Sequence, residues 1–222
     1  MEIKIKVPSS LSEITLSQYQ RYLAVIGPTE DSNISETFLS LKMLEIFCNV
    51  PYATAMKFPV SEVNRIVKII SGVLNEKGDL VRHFKMGDTE FSFIPKLDDM
   101  SFGEYIDLDN FLGDWDKMHK AMSVLYRPTK ERTGTLYSIK DYDGDIYHEA
   151  MKQMPLDAVF HSIVFFYTLG IELSKTMMSY LEEEQGETAM ILRRDLIESG
   201  DGIVQFTTSL KGMLNELNIL QK

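Results

Sequence analysis

Leu80-Val-Arg-His-Phe-Lys-Met-Gly-Asp-Thr-Glu-Phe-Ser-Phe-Ile94 is the stretch on which the fold class turns. Two short β-rich runs, residues 80–84 and 90–94, flank a polar connection carrying Gly87-Asp88, which is the pattern of a hairpin. Phe91 and Phe93 alternate with Ser92, so the second run has one apolar face. A lone hairpin is marginal in water and needs another strand. The N-terminus offers one, because Ile3, Ile5 and Val7 alternate with Glu2, Lys4 and Lys6 before Pro8. The expected class is therefore α+β, mainly α. It is a single helical domain over residues 1–222, with a small antiparallel sheet made of the N-terminal strand and the hairpin near 80–94.

Outward from the hairpin the chain reads as helix. Thr15-Leu-Ser-Gln18 fits a capping box and opens a helix carrying Leu16, Tyr19, Tyr22, Leu23 and Ile26, which Gly27-Pro28 ends. A second helix begins near Asn33, presents Phe38, Leu41, Leu44, Phe47 and Cys48, and stops at Asn49-Val-Pro51. A third follows Pro59 with the stripe Val63, Ile66, Val67, Ile70, Val73, Leu74. From Ser101 the spacing of Leu108, Phe111, Leu112, Trp115, Met118, Met122 and Leu125 predicts one helix up to Arg127-Pro128, supported by an Asp116–Lys120 pair. Residues 129–147 are polar and turn-rich, a mobile loop or a short hairpin. Pro155 starts the longest helix, to about Glu184, with the stripe Leu156, Phe160, Ile163, Tyr167, Ile171, Met178 and Leu181; Val159, Val164 and Phe166 widen it, so its first half is to be buried on most sides. A short helix over 187–198 and a last one with the seam Ile203, Phe206, Leu210, Met213, Leu217, Leu220 complete the chain. The seam has the a/d spacing of a heptad but is short for a coiled coil, so it packs on its own domain or meets another subunit.

Composition bounds the chemistry. The chain has 222 residues, 23 Lys plus Arg against 33 Asp plus Glu, and a net charge of −10. Such a surplus of acid opposes phosphate binding, so no direct nucleic-acid contact is expected. The one cysteine, Cys48, excludes a disulfide within the chain and any multi-cysteine metal site; on an apolar helix face it reads as a small core residue. The N-terminus lacks the features of a signal peptide, and the longest apolar stretch, residues 158–171, is too short for a transmembrane segment. His83, His119, His148 and His161 show no metal-ligand spacing, His161 reading as a satisfied core histidine and His119 as a helix-flank residue. No phosphate-binding glycine loop and no nucleophile elbow is present in the sequence. Asp141-Tyr-Asp-Gly-Asp145 suggests calcium, but the positions that need Gly and Glu hold Ile146 and Lys152. No cofactor and no metal is expected, and the chain does not read as an enzyme.

The distinctive segment is residues 97–118, with Asp98, Asp99, Glu104, Asp107, Asp109, Asp114 and Asp116 against Lys117 alone, and Phe102, Tyr105, Phe111 and Trp115 interleaved. Like-charge runs are usually solvated, so a hydrated helix face is the first reading. The second is a contact patch for a basic partner, with Tyr105, Asp107, Asp109, Trp115 and Asp116 as candidate contacts beside the C-terminal seam.

Three stretches carry a resemblance. They are Val7-Pro-Ser-Ser-Leu-Ser-Glu-Ile-Thr-Leu-Ser-Gln-Tyr-Gln20, then Phe93-Ile-Pro-Lys-Leu97 with Ser101-Phe-Gly-Glu-Tyr-Ile-Asp-Leu-Asp109, then His119-Lys-Ala-Met-Ser-Val-Leu-Tyr-Arg-Pro128; Pro155-Leu-Asp157 and Phe165-Phe166 extend it. Over residues 7–180 the chain resembles small acidic proteins of tailed bacteriophages, including crAss-like gut phages, which tend to lie among structural and assembly genes. The resemblance has no mechanistic motif. It implies a minor virion component or an assembly chaperone whose partners are other phage structural proteins, and possibly itself. The implied location is the virion, or the cytoplasm of the infected cell during assembly. A host-directed effector or an enzyme with an unmarked site, resting on the Tyr- and Asp-rich residues 137–148, is the alternative. A DNA-mimic inhibitor is a subsidiary idea, weakly supported by the overall acidity.

Overall fold

Thr15 and Gln18 close the predicted box: the Thr15 hydroxyl accepts from the Gln18 amide at 3.3 Å, and the Gln18 side chain accepts from the Thr15 N–H at 2.9 Å. Helix α1, Leu16–Ile26, follows. This is a computed structural model, and it describes residues 5–27, 35–144, 146–183 and 211–212. Helix α2 is Glu36–Phe47, capped by the Ser35 hydroxyl. Asn49 ends it in the left-handed region (φ 53°), and the Val50 N–H closes back on the Leu44 carbonyl. A single turn, α3 (Tyr52–Ala55), leads to α4 (Val60–Leu74), which buries the predicted Val63, Ile66, Ile70 and Val73.

The hairpin forms where expected, as β1 (His83–Met86) and β2 (Thr89–Phe93) around Gly87-Asp88, with Phe84 opposite Phe91. Its third strand is a correction. Residues 5–9 form no ladder; Ile5 and Val7 pack on the core from an irregular segment, and residues 1–4 lie outside the described part. Beyond α5 (Phe102–Phe111) and α6 (Met118–Leu125), the chain instead enters β3 (Tyr126–Thr133), which pairs antiparallel with β2. Strand β4 (Leu136–Ile139) completes a meander of order β1-β2-β3-β4. The short-hairpin form of the expectation for residues 129–147 therefore holds for their first half. Pro128 marks the end of a helix on sequence grounds, yet it sits inside a strand. The Ile94 N–H donates to the Leu125 carbonyl, so by alternation Pro128, opposite Phe91, stands at a non-hydrogen-bonded position facing β2. Its missing N–H costs that ladder nothing, and its carbonyl accepts from Lys140 N–H on the other side.

The long helix predicted from Ser101 is likewise two helices. Gly113 takes φ 112°, a conformation closed to most L-residues, and breaks the chain between α5 and α6. The expected Asp116–Lys120 pair is replaced: Lys117 meets Asp114 at 3.2 Å, and the Lys120 ammonium lies over the Phe111 ring.

After the turn α7 (His148–Met151), α8 (Leu156–Glu183) runs through the centre. The starts of α1 and α8 serve each other. Leu16 and Ser17 donate to the carbonyls of Met154 and Lys152, while Leu156 donates to the carbonyl of Ile14, so orphan N–H groups of both helices find partners across the chain. Phe160 packs edge-on against Tyr19 at 5.1 Å and near Trp115, and Phe165 and Phe166 meet Phe93 of the sheet. Tyr126, fully buried between them, donates its hydroxyl to the Val81 carbonyl at 2.7 Å and shares a bond with Ser162. One contiguous core joins helices and sheet. Among the described residues, no helix is long and apolar enough to cross a membrane.

Candidate protein-contact surface

Helix α5 is built inside out. Ser101 and Glu104 form its capping box, with the Glu104 carboxylate accepting the Ser101 N–H at 2.6 Å. The same carboxylate then turns inward, only 5% exposed, and meets the Arg127 guanidinium of β3 at 2.7 Å. Arg127 is itself buried and lies 5.9 Å from the centre of the Tyr142 ring, whose hydroxyl donates to Asp107 at 2.6 Å. Burial and the Asp107 carboxylate push the Tyr142 phenol well above its usual range, so it stays the donor. Glu104, Asp107 and Leu108 thus make the inner face of α5. The outer face carries Phe102 (78% exposed), Tyr105 (55%) and Ile106 (42%), with Asp109 one turn further on. Asp98 and Asp99 stand exposed just before the helix.

The candidate contacts separate accordingly. Tyr105 and Asp109 share the outer face of α5. Asp107 is half-buried and engaged by Tyr142. Trp115 is half-buried and packs against the core, its ring 5.0 Å from Tyr19. Asp116 is exposed in the turn beyond Gly113. Phe102 and Ile106 complete the outer face and were not among the contacts proposed from sequence. Tyr105 and Ile106 stand three and four residues after Phe102, a spacing visible in the sequence, but spacing alone does not say which side of a helix faces water. Ile203, Phe206, Leu210, Met213, Leu217 and Leu220 lie outside the described residues, as does the helix expected over 187–198.

The titratable groups elsewhere hold the fold. His83 of β1 shares a hydrogen with Ser92 of β2 at 2.7 Å, and Ser92 with Thr129 of β3 at 2.5 Å, under the edge of Tyr137. A serine beside a histidine suggests a nucleophile, but Ser92 is fully buried and no substrate reaches its oxygen. His119 is buried, not flanking, with its Nδ1 3.4 Å from the Gln20 amide. His161 is not satisfied: both ring nitrogens are buried without a hydrogen-bond partner, and the ring presses on Gly78, where a Cβ would come within 2.5 Å of it. Cys48 is buried, and burial pushes its thiol up to about 11. In the polar stretch after β4, Tyr142 is tied to Asp107 and Tyr147 packs on Phe91, while Asp141 pairs with Lys130. Among the described residues, no three His, Cys, Asp or Glu side chains are grouped so as to hold a metal ion.

Two hollows remain. A polar cleft of about 440 Å³ beside α1 is lined by Lys6, Glu13, Gln18, Arg21 and Gln153. A groove of about 430 Å³ between α2 and α4 is lined by Leu41, Met56, Phe58, Val60 and Val63. No family model matches the chain, and no curated protein and no solved structure matches it.

Proposed function

We propose that the chain is a non-enzymatic tailed-phage protein that works by contact with other phage proteins, as a minor virion component packaged in the head or associated with the tail. The observation that carries this reading is the outer face of α5, where three large apolar side chains stand in water beside carboxylates on a helix anchored from its inner side by a buried ion pair. Exposed apolar groups clustered on one element mark interaction surfaces. The resemblance over residues 7–180 supplies the phage setting and names phage structural proteins as the partners.

Mass spectrometry of purified virions tests it. Peptides of this chain are expected at a reproducible stoichiometry. Particles that lack the chain, from a phage that cannot assemble without it, would replace the virion reading with that of an assembly chaperone. Calorimetric heat on titration with calcium, zinc or magnesium would instead favour the effector or enzyme reading.

A further inference from the structure

We propose that the outer face of α5 docks an amphipathic helix of a protein partner that carries Lys or Arg beside its apolar stripe. This deepens the contact-protein reading and rests on it. Phe102, Tyr105, Ile106 and Asp109 occupy positions i, i+3, i+4 and i+7, the ridge that packs against a second helix. The helix buries a carboxylate, Glu104, on its inner side while leaving Phe102, Tyr105 and Ile106 outside, the reverse of what burial of apolar surface favours in a free chain. A cover over the outer face removes that conflict. The charge around the face selects the cover. Asp98 and Asp99 precede the apolar residues and Asp109 follows them, all exposed, and Lys96 reaches Asp99 only at 3.9 Å. A second copy would bring the same acids together, at a cost in like-charge contact, and an anionic lipid surface would be repelled. A basic helix places cations at both ends of the stripe and apolar anchors between them. Aromatic anchors such as Phe102 and Tyr105 commonly carry such interfaces.

The test uses the full chain and a fluorescein-labelled synthetic peptide with a leucine stripe flanked by lysines, beside the same peptide with glutamate for lysine. Fluorescence anisotropy is expected to show binding of the lysine peptide, weakened by salt, and none of the glutamate peptide. The double variant Phe102→Ser/Ile106→Ser is expected to weaken binding at least about tenfold. The variant Asp98→Asn/Asp99→Asn/Asp109→Asn changes exposed acids only and should weaken binding and flatten its salt dependence. Thermal melts confirm that both variants are folded. No binding by the parent chain overturns the proposal. So does equal binding of the glutamate peptide, or affinity unchanged in both variants. A dimer seen by light scattering and abolished by Phe102→Ser/Ile106→Ser also overturns it, naming a second copy as the occupant. Virions that contain the chain although the peptide fails to bind remove this docking site and leave the contact-protein reading intact. Peptide binding by a chain absent from both particles and assembly intermediates does the reverse.

Discussion

At the scale of single residues, the sharpest commitments are the buried ion pair and the orphan histidine. Glu104 and Arg127 leave water together, and their attraction offsets a desolvation cost that neither could bear alone. Arg127→Met should lower the unfolding free energy by about 3–5 kcal/mol, because Glu104 stays buried without a cation. Arg127→Met/Glu104→Gln, which retains the cap of α5 and removes the charge, should recover most of that loss; urea denaturation of the two variants decides it. His161 has no partner for either nitrogen. Burial holds it below the ordinary histidine range, with Asp157, Asp79 and Glu76 pulling the other way, and burial does the same to His83 and His119. A histidine with a depressed folded pKa binds its proton more weakly in the native chain than in the unfolded one. Stability is thus complete above about pH 6.5 and falls as the pH drops through the folded value. Burial raises Asp157 above the carboxylate norm, and its contribution runs with the opposite sign in the acid range. Between about pH 7.5 and 5.5 the histidines therefore dominate. The urea midpoint should fall over that interval, and fall less in His161→Asn. An unchanged fall in the variant would assign the effect to His83 and His119.

At the scale of elements, helix ends were readable and strand partners were not. The box at Thr15, the stop at Asn49, the starts after Pro59 and Pro155 and the hairpin turn at Gly87-Asp88 all depend on neighbours in sequence, so the chain displays them locally. The partner of β2 depends on residues far away. Residues 2–7 alternate well in sequence and residues 126–133 poorly, yet 126–133 supply the partner of β2, because Tyr126 reaches the core beside Phe93, while among the described residues Ile5 and Val7 pack without a ladder. The break between α5 and α6 was hidden by apolar spacing that runs through it, and Gly113 was its one local sign. Gly113→Ala should cost about 1–3 kcal/mol, since φ 112° strains any side chain. Gly103→Ala, in α5 with open space around the added methyl, should instead add about 0.5–1 kcal/mol. Thermal melts of the pair measure both signs in one helix and one turn.

At the scale of the whole molecule, one core joins sheet and helices through Tyr126, Phe93 and α8, so the described part should unfold as a unit. Trp115 fluorescence and far-ultraviolet circular dichroism should share one urea transition. Tyr126→Phe, which leaves the Val81 carbonyl without its donor, should shift both probes together by about 1–2 kcal/mol. Two separated transitions would show that helices and sheet are independent. Over half of the −10 charge lies in residues 97–118. The sequence by itself determined the α+β class, most helix limits, the hairpin and the place of that charge, because periodicity, caps and composition act over a few residues. It also put Tyr105 and Asp109 among the candidate contacts. Only the tertiary structure decided that Trp115 and Asp107 turn inward, that Phe102 and Ile106 turn outward, and that β3 is the third strand. Those outcomes depend on which side chains apart in sequence share the core, as Arg127 on β3, beyond α6 in the chain, decides which way Glu104 of α5 faces.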